Sequence, residues 1–261
     1  MRLQPISILG CLLAVTASAQ QADVPRLANG VPDLNGTWDN GSGIDFINPV
    51  IDGASICLSG CAAPADAGAP AAAPLPPDRP RYRPEYQARV DDLNARQVEF
   101  DPVLRCFAPG VPRIGPPDKI VQRESEVVFL YDDVSGNFFR IVPIDAGSHP
   151  DDTVPSYLGD AIGWWEGDTL VVETVNFNGE TWLTDDGSFH TPDLRVVERI
   201  RRDGDTLTWQ ATAYDPAVLA EPWQLRERVA VLTDIEVVEA PPCIERDLDH
   251  MVDDSHHDNP R

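Results

Sequence analysis

Two carboxylates and two imidazoles in this 261-residue chain have the types and surroundings that acid-base chemistry needs. Glu173 lies in the stretch Thr169 to Phe177. There Leu170, Val172, Thr174 and Asn176 share one face of an extended chain, and Val171, Glu173, Val175 and Phe177 share the other. Glu198 lies in Arg195 to Arg202, on the face of Val196 and Ile200. A carboxylate among apolar neighbours is paired, sits at a barrel mouth or does chemistry, because burying an unpaired charge is costly. His149 in Ser-His-Pro and His190 in Phe-His-Thr fall in loops flanking the same strands. A buried carboxylate and an imidazole can divide base and acid roles near neutral pH. The expectation is that all four meet at one mouth. The competing expectation is that each glutamate pairs with an arginine, Arg226 or Arg228, and that each histidine is a solvated loop residue. Two imidazoles and a carboxylate could also hold a metal, but no pair has the i, i+2 or i, i+4 spacing of a metal site, so none is assigned. His250, His256 and His257 in the acidic tail read as solvated, and Asp160 reads as a turn residue after Gly159.

Between and around these groups, Tyr157 to Trp182 holds three of the six tryptophans, Trp164, Trp165 and Trp182. Such indoles are more often core than binding residues. With Tyr157 and Trp223 near a barrel mouth, they could instead hold a flat apolar or aromatic molecule. Glu166-Gly167-Asp168 between two apolar segments is a hairpin turn.

The elements that must position these residues are β-strands. Strand patterns run over Lys119 to Gln122, Glu126 to Asp132, Asn137 to Ile144, the central hairpin, Leu194 to Arg202, Thr206 to Tyr214, Trp223 to Leu232 and Ile235 to Glu239. Short strands at regular spacing, joined by hairpin turns, predict an all-β fold: an antiparallel meander closing into a β-barrel, with a β-sandwich as the alternative. Pro84 to Val98 is the one helix pattern. Pro84 suits a first helical position, Glu85 complements the helix dipole, and Tyr86, Val90 and Leu93 share a face. This helix is expected to flank or cap the barrel, within a domain spanning residues 81–244.

Residues 1–19 read as a signal peptide, with Arg2, the apolar run Ile6 to Val15 and the small-x-small site Ala17-Ser18-Ala19. The expected address is therefore periplasmic or secreted. No other segment reaches membrane-spanning length. Residues 20–60 read as an N-terminal strand and loops, 61–80 as an Ala/Pro-rich insertion and 245–261 as a polar tail. The net charge of −23, from 20 basic and 43 acidic residues, excludes nucleic acid and anionic membrane surfaces as partners. Cys57, Cys61, Cys106 and Cys243 remain after cleavage. An even number in an exported chain predicts two disulfides, Cys57 with Cys61 and Cys106 with Cys243. Nothing signals an oligomeric state. There is no catalytic serine motif, phosphate loop or dinucleotide fingerprint, so no cofactor is called for.

Gly36-x-Trp38 resembles the first-strand motif of lipocalins and their relatives, in which the tryptophan closes the barrel base. The runs L-G-D-A-I-G-W-W-E-G-D-T-L-V-V-E-T-V-N-F-N, T-W at 181–182, H-T at 190–191, V-V-E-R-I-R-R at 196–202 and P-W at 222–223 are similar to a large family of exported, mostly uncharacterised bacterial proteins. Its W-E-G-D-T-L-V-V core is the specific part, and the resemblance spans most of Cys106 to Cys243. It implies export and a β-rich fold and brings no activity. This chain departs from that pattern in Trp165, beside Trp164 where one aromatic is usual, and in Glu173, often an aspartate. Together these readings predict an exported, cofactor-independent lyase or isomerase. Glu173 or Glu198 would take a proton, and His149 or His190 would return one. The alternative is a non-catalytic carrier of a lipophilic molecule.

Overall fold

The computed structural model describes residues 24–40, 50–52, 55–57, 78–133, 135–240 and 243. The leader, most of the Ala/Pro-rich insertion and the tail lie outside these, as does Cys61 and with it the Cys57–Cys61 pairing. The strands are β1 Gly36–Asp39, β2 Val50–Asp52, β3 Ser55–Cys57, β4 Lys119–Gln122, β5 Glu126–Asp133 and β6 Gly136–Pro143. They continue as β7 Asp160–Glu166, β8 Thr169–Val175, β9 Arg195–Asp203, β10 Thr206–Tyr214, β11 Trp223–Gln224 and β12 Arg228–Thr233. Apart from the β2–β3 ribbon they form one continuous sheet in the order β6-β5-β4-β1-β12-β10-β9-β8-β7, with β11 added on β10. Neighbours are antiparallel throughout. A single sheet curled until its two end strands meet is a nearly closed barrel, not a sandwich of two sheets.

Alternation along each strand decides what fills the barrel. Val127, Phe129 and Tyr131 of β5, Leu170 and Val172 of β8, Ile200 of β9 and Leu207 and Trp209 of β10 point inward, each at most 1% exposed. Trp38 of β1 joins them at 1%, its Nε1 donating to the Leu34 carbonyl and its ring 5.2 Å from the Arg202 guanidinium. Each such side chain contributes about 1.5–3 kcal/mol through burial. The lumen is thus a packed core.

Closure is incomplete at the seam between β6 and β7. Pro143 ends β6, lacking the N–H that a further ladder bond needs. The strands meet through one parallel bridge, Ile144 to Gly163, with the Asp145 N–H donating to the Gly163 carbonyl at 2.8 Å. The absence of a side chain at Gly163 permits this approach: a Cβ there would lie 2.9 Å from Val142 and 3.0 Å from Ile144. Toward Asp160 the strands part.

A 3-10 turn over Pro84–Tyr86 leads into helix α1, Gln87–Ala95, followed by the short α2, Gln97–Phe100. The α1 helix packs on the 181–190 loop. Tyr86 meets Phe189 edge-on, Arg89 lies 3.8 Å from the Phe189 ring centroid, and a Cβ on Gly187 would strike the Val90 carbonyl at 2.7 Å. The strand expected over Ile235 to Glu239 does not form. Instead 234–240 crosses the outside of the sheet, where Lys119 pairs with Glu236 and Asn137 accepts from the Ala240 N–H. Cys243 then bonds Cys106, whose Cα is 5.6 Å away. Among the described residues no helix is long and apolar enough to cross a membrane.

Candidate functional site

The four expected catalytic residues do not converge. Val172 faces Glu198 and Glu173 faces Val197 across β8 and β9. Cross-strand partners share a face, so the two glutamates lie on opposite sides of the sheet. Glu198 points into the lumen and is fully buried. One of its oxygens accepts from Arg140 at 2.6 Å and the other from the Trp209 indole at 3.0 Å. Arg140, on β6, also donates to Thr174 at 2.7 Å and to the Tyr131 hydroxyl at 3.1 Å. Burial opposes the charge on Arg140, but the Glu198 carboxylate and Tyr131 outweigh it and raise its pKa. Burial likewise pushes the Tyr131 phenol up. The arginine expected beside Glu198 is thus present but comes from β6, and neither Arg226 nor Arg228 fills that place.

Glu173 points outward and pairs with Arg195 of β9 at 2.8 Å. Its other oxygen is 3.5 Å from His149 Nε2, a contact too long and poorly directed for a hydrogen bond, so that buried nitrogen has no hydrogen-bond partner. His149 Nδ1 meets Asp160 at 3.0 Å. A carboxylate only accepts, so Nδ1 carries the proton. Asp160, His149, Glu173 and Arg195 form a row across the outer face of β7, β8 and β9.

His190 stands apart and is 3% exposed. Its Nδ1 donates to the Thr191 carbonyl at 2.8 Å, its Nε2 accepts from Thr181 at 2.7 Å, and its ring packs edge-on against Phe177. Burial lowers its pKa, more than the Thr191 bond and the Asp215 charge raise it. The folded protein therefore binds this proton less readily than the unfolded chain. Stability linked to His190 is full above the ordinary histidine pKa of about 6.5 and is lost as pH falls below it. Denaturant titrations from pH 8 to pH 5 are expected to show falling stability that flattens in His190→Gln. An unchanged slope in the variant would place the acid sensitivity elsewhere.

A cleft of about 510 Å³ occupies the open part of the β6–β7 seam. Phe138, Phe139 and Ile141 of β6 form one wall, and Tyr157, Leu158 and Asp160 the other. Phe107, beside the Cys106 disulfide, stacks on Tyr157 with ring centroids 5.2 Å apart. Burial and the hydrogen bond from its hydroxyl to Glu180, 2.9 Å long, raise the Tyr157 pKa and keep it a donor. Gly159 sets the turn that places this wall. Its φ is +70°, and a Cβ would lie 2.5 Å from the Val175 carbonyl.

Of the five expected ligand-binding aromatics, only Tyr157 lines this cleft. Trp182 and Trp223 are core residues, the latter bonded to Asp78, while Trp165 packs partly buried against the core and Trp164 bonds to Glu166 outside the barrel. Phe107, Phe138 and Phe139 are lining residues that the sequence reading missed. Alternation could have placed Phe139 outward, but nothing local tells that Phe107 meets Tyr157. A second cleft of about 470 Å³ lies at the other end of the polar row, where Arg195 covers the Tyr214 ring beside Arg83 and Leu219.

Among the described residues no group of three or more His, Cys, Asp or Glu is arranged to hold a metal ion. The fold and cleft define a nearly closed antiparallel barrel with a filled lumen and an aromatic seam site. Comparison with known protein families, curated proteins and solved structures finds no match.

Proposed function

We propose that this chain is an exported binding protein that receives a small, flat, apolar or aromatic molecule in the β6–β7 seam cleft. The carrying observation is the cleft itself, about 510 Å³ with Phe107, Phe138, Phe139 and Tyr157 on its walls, a volume and lining suited to a small organic ligand. Export rests on the leader and the cysteine count, and membership of the family sharing the W-E-G-D-T-L-V-V core is part of the same proposal. Carriage without turnover is favoured over lyase or isomerase chemistry for two reasons. Glu198 is held by Arg140 and Trp209, and His149 directs Nδ1 to Asp160 while its Nε2 lies buried without a hydrogen-bond partner. Turnover is the second reading, because Asp160 lines the cleft with His149 and Glu173 behind it, an arrangement able to move a proton.

Native mass spectrometry of the mature protein from its own cell envelope tests the proposal. A small molecule released on denaturation is expected, lost when Phe107 and Tyr157 are both replaced by alanine. Retention by that variant would move the site out of the cleft. Chemical conversion of the released molecule by fresh protein, abolished in Asp160→Asn, would favour the enzyme.

A further inference from the structure

Resting on this reading of the cleft, we infer that its ligand carries a protonated amine, bound by Asp160 at the end of an otherwise aromatic and apolar wall. Two nearby arginines are paired, one in the lumen and one on the outer face of the sheet. Arg140 is met by Glu198 and Arg195 by Glu173. At the stacked Phe107 and Tyr157 rings, Arg105 lies 5.9 Å from the Phe107 centroid and Glu180 accepts from the Tyr157 hydroxyl. Asp160 remains as the one carboxylate on the cleft wall, its side chain 21% exposed. Its Oδ2 meets His149, and its Oδ1 has no hydrogen-bond partner among the described residues. An acceptor with free lone pairs, beside several ring faces, suits a charged N–H donor. Aromatic faces attract cations through the ring quadrupole, and Arg105, 5.9 Å from the Phe107 centroid, already uses one such face. A carboxylate-bearing ligand would meet Asp160 as a like charge, and the net charge of −23 would oppose its approach.

Three probes of one shape separate the classes: 2-(2-naphthyl)ethylamine, 2-(2-naphthyl)ethanol and 2-naphthylacetate, titrated calorimetrically at pH 8 into the mature protein. The amine is expected to bind about tenfold tighter than the alcohol, since hydrogen bonds to charged groups and cation–ring contacts each exceed their neutral counterparts. The acid is expected to bind weakest. Asp160→Asn is expected to bring amine affinity to that of the alcohol. Glu124→Gln, which removes an exposed charge in the β4–β5 turn, is expected to preserve the preference. Phe139→Leu, at a side chain 63% exposed and so outside the core, is expected to narrow it without unfolding the protein. Equal affinity of amine and alcohol, tighter binding of the acid, or an unaltered preference in Asp160→Asn would overturn the amine inference and leave the cleft as a binding site. Binding of none of the three would overturn the cleft reading itself.

Discussion

Replacing Arg140 by methionine is expected to cost about 3–5 kcal/mol, because it leaves Glu198 charged and fully buried with only the Trp209 indole beside it. The guanidinium joins four elements: β6 that carries it, β5 through Tyr131, β8 through Thr174 and β9 through Glu198. It thereby ties one end strand of the sheet to three others across the lumen. The double variant Arg140→Met, Glu198→Gln removes both charges, and it is expected to recover more than half of the loss. Urea denaturation of the oxidised protein at pH 7 reads both values. Equal losses in the single and double variants would mean that packing of the arginine stem, not charge balance, is what matters. A single-variant loss below about 1 kcal/mol would contradict a buried pair.

Gly159→Ala carries the second large effect. A non-glycine residue at φ +70° costs about 1–3 kcal/mol. The added Cβ also strikes the Val175 carbonyl at 2.5 Å, Thr174 Cγ2 at 2.7 Å and Phe177 at 3.0 Å. Gly167, at φ +59°, has nothing within 4 Å of such a Cβ and supplies the control. Gly159→Ala is expected to lose about 1–3 kcal/mol more than Gly167→Ala, since the clash involves backbone and the buried Phe177. Because Gly159 turns the chain between Leu158 and Asp160, cleft affinity should fall in the first variant and hold in the second. Equal stability losses would show that the 156–161 wall moves freely, against the account of how the cleft is placed.

Local pattern carried most of the architecture. Hairpin turns and period-two alternation placed β4 and β10 on their observed bounds and β5, β6, β8 and β9 within two residues, and alternation correctly separated the faces of β8 and β9. The single strand expected over Trp223 to Leu232, by contrast, is broken into β11 and β12. What alternation leaves open is which face is inside. Val171 of the outer face is as buried as Val172 of the inner one, and both faces of β8 read as apolar. Glu173 therefore looked as interior as Glu198, and only the register between β8 and β9 separates them. Arg140 gave no signal, since a single arginine in Phe-Phe-Arg-Ile-Val looks like an outward residue until its β9 partner is known. The cleft was illegible for a related reason. It lies where a ladder is missing, between strands whose pairing depends on Pro143, Gly163 and the long connection between them.

Methyl and amide NMR of the isotope-labelled mature protein, titrated with 2-(2-naphthyl)ethylamine and its alcohol, locates the bound molecule directly. A filled lumen and a seam site predict shifts confined to the cleft lining, Ala108, Ile141, Leu158 and Ala161, with Val172, Ile200 and Leu207 of the lumen unmoved. Shifts centred on those lumen residues, or none at millimolar ligand, would contradict the assignment of binding to the seam.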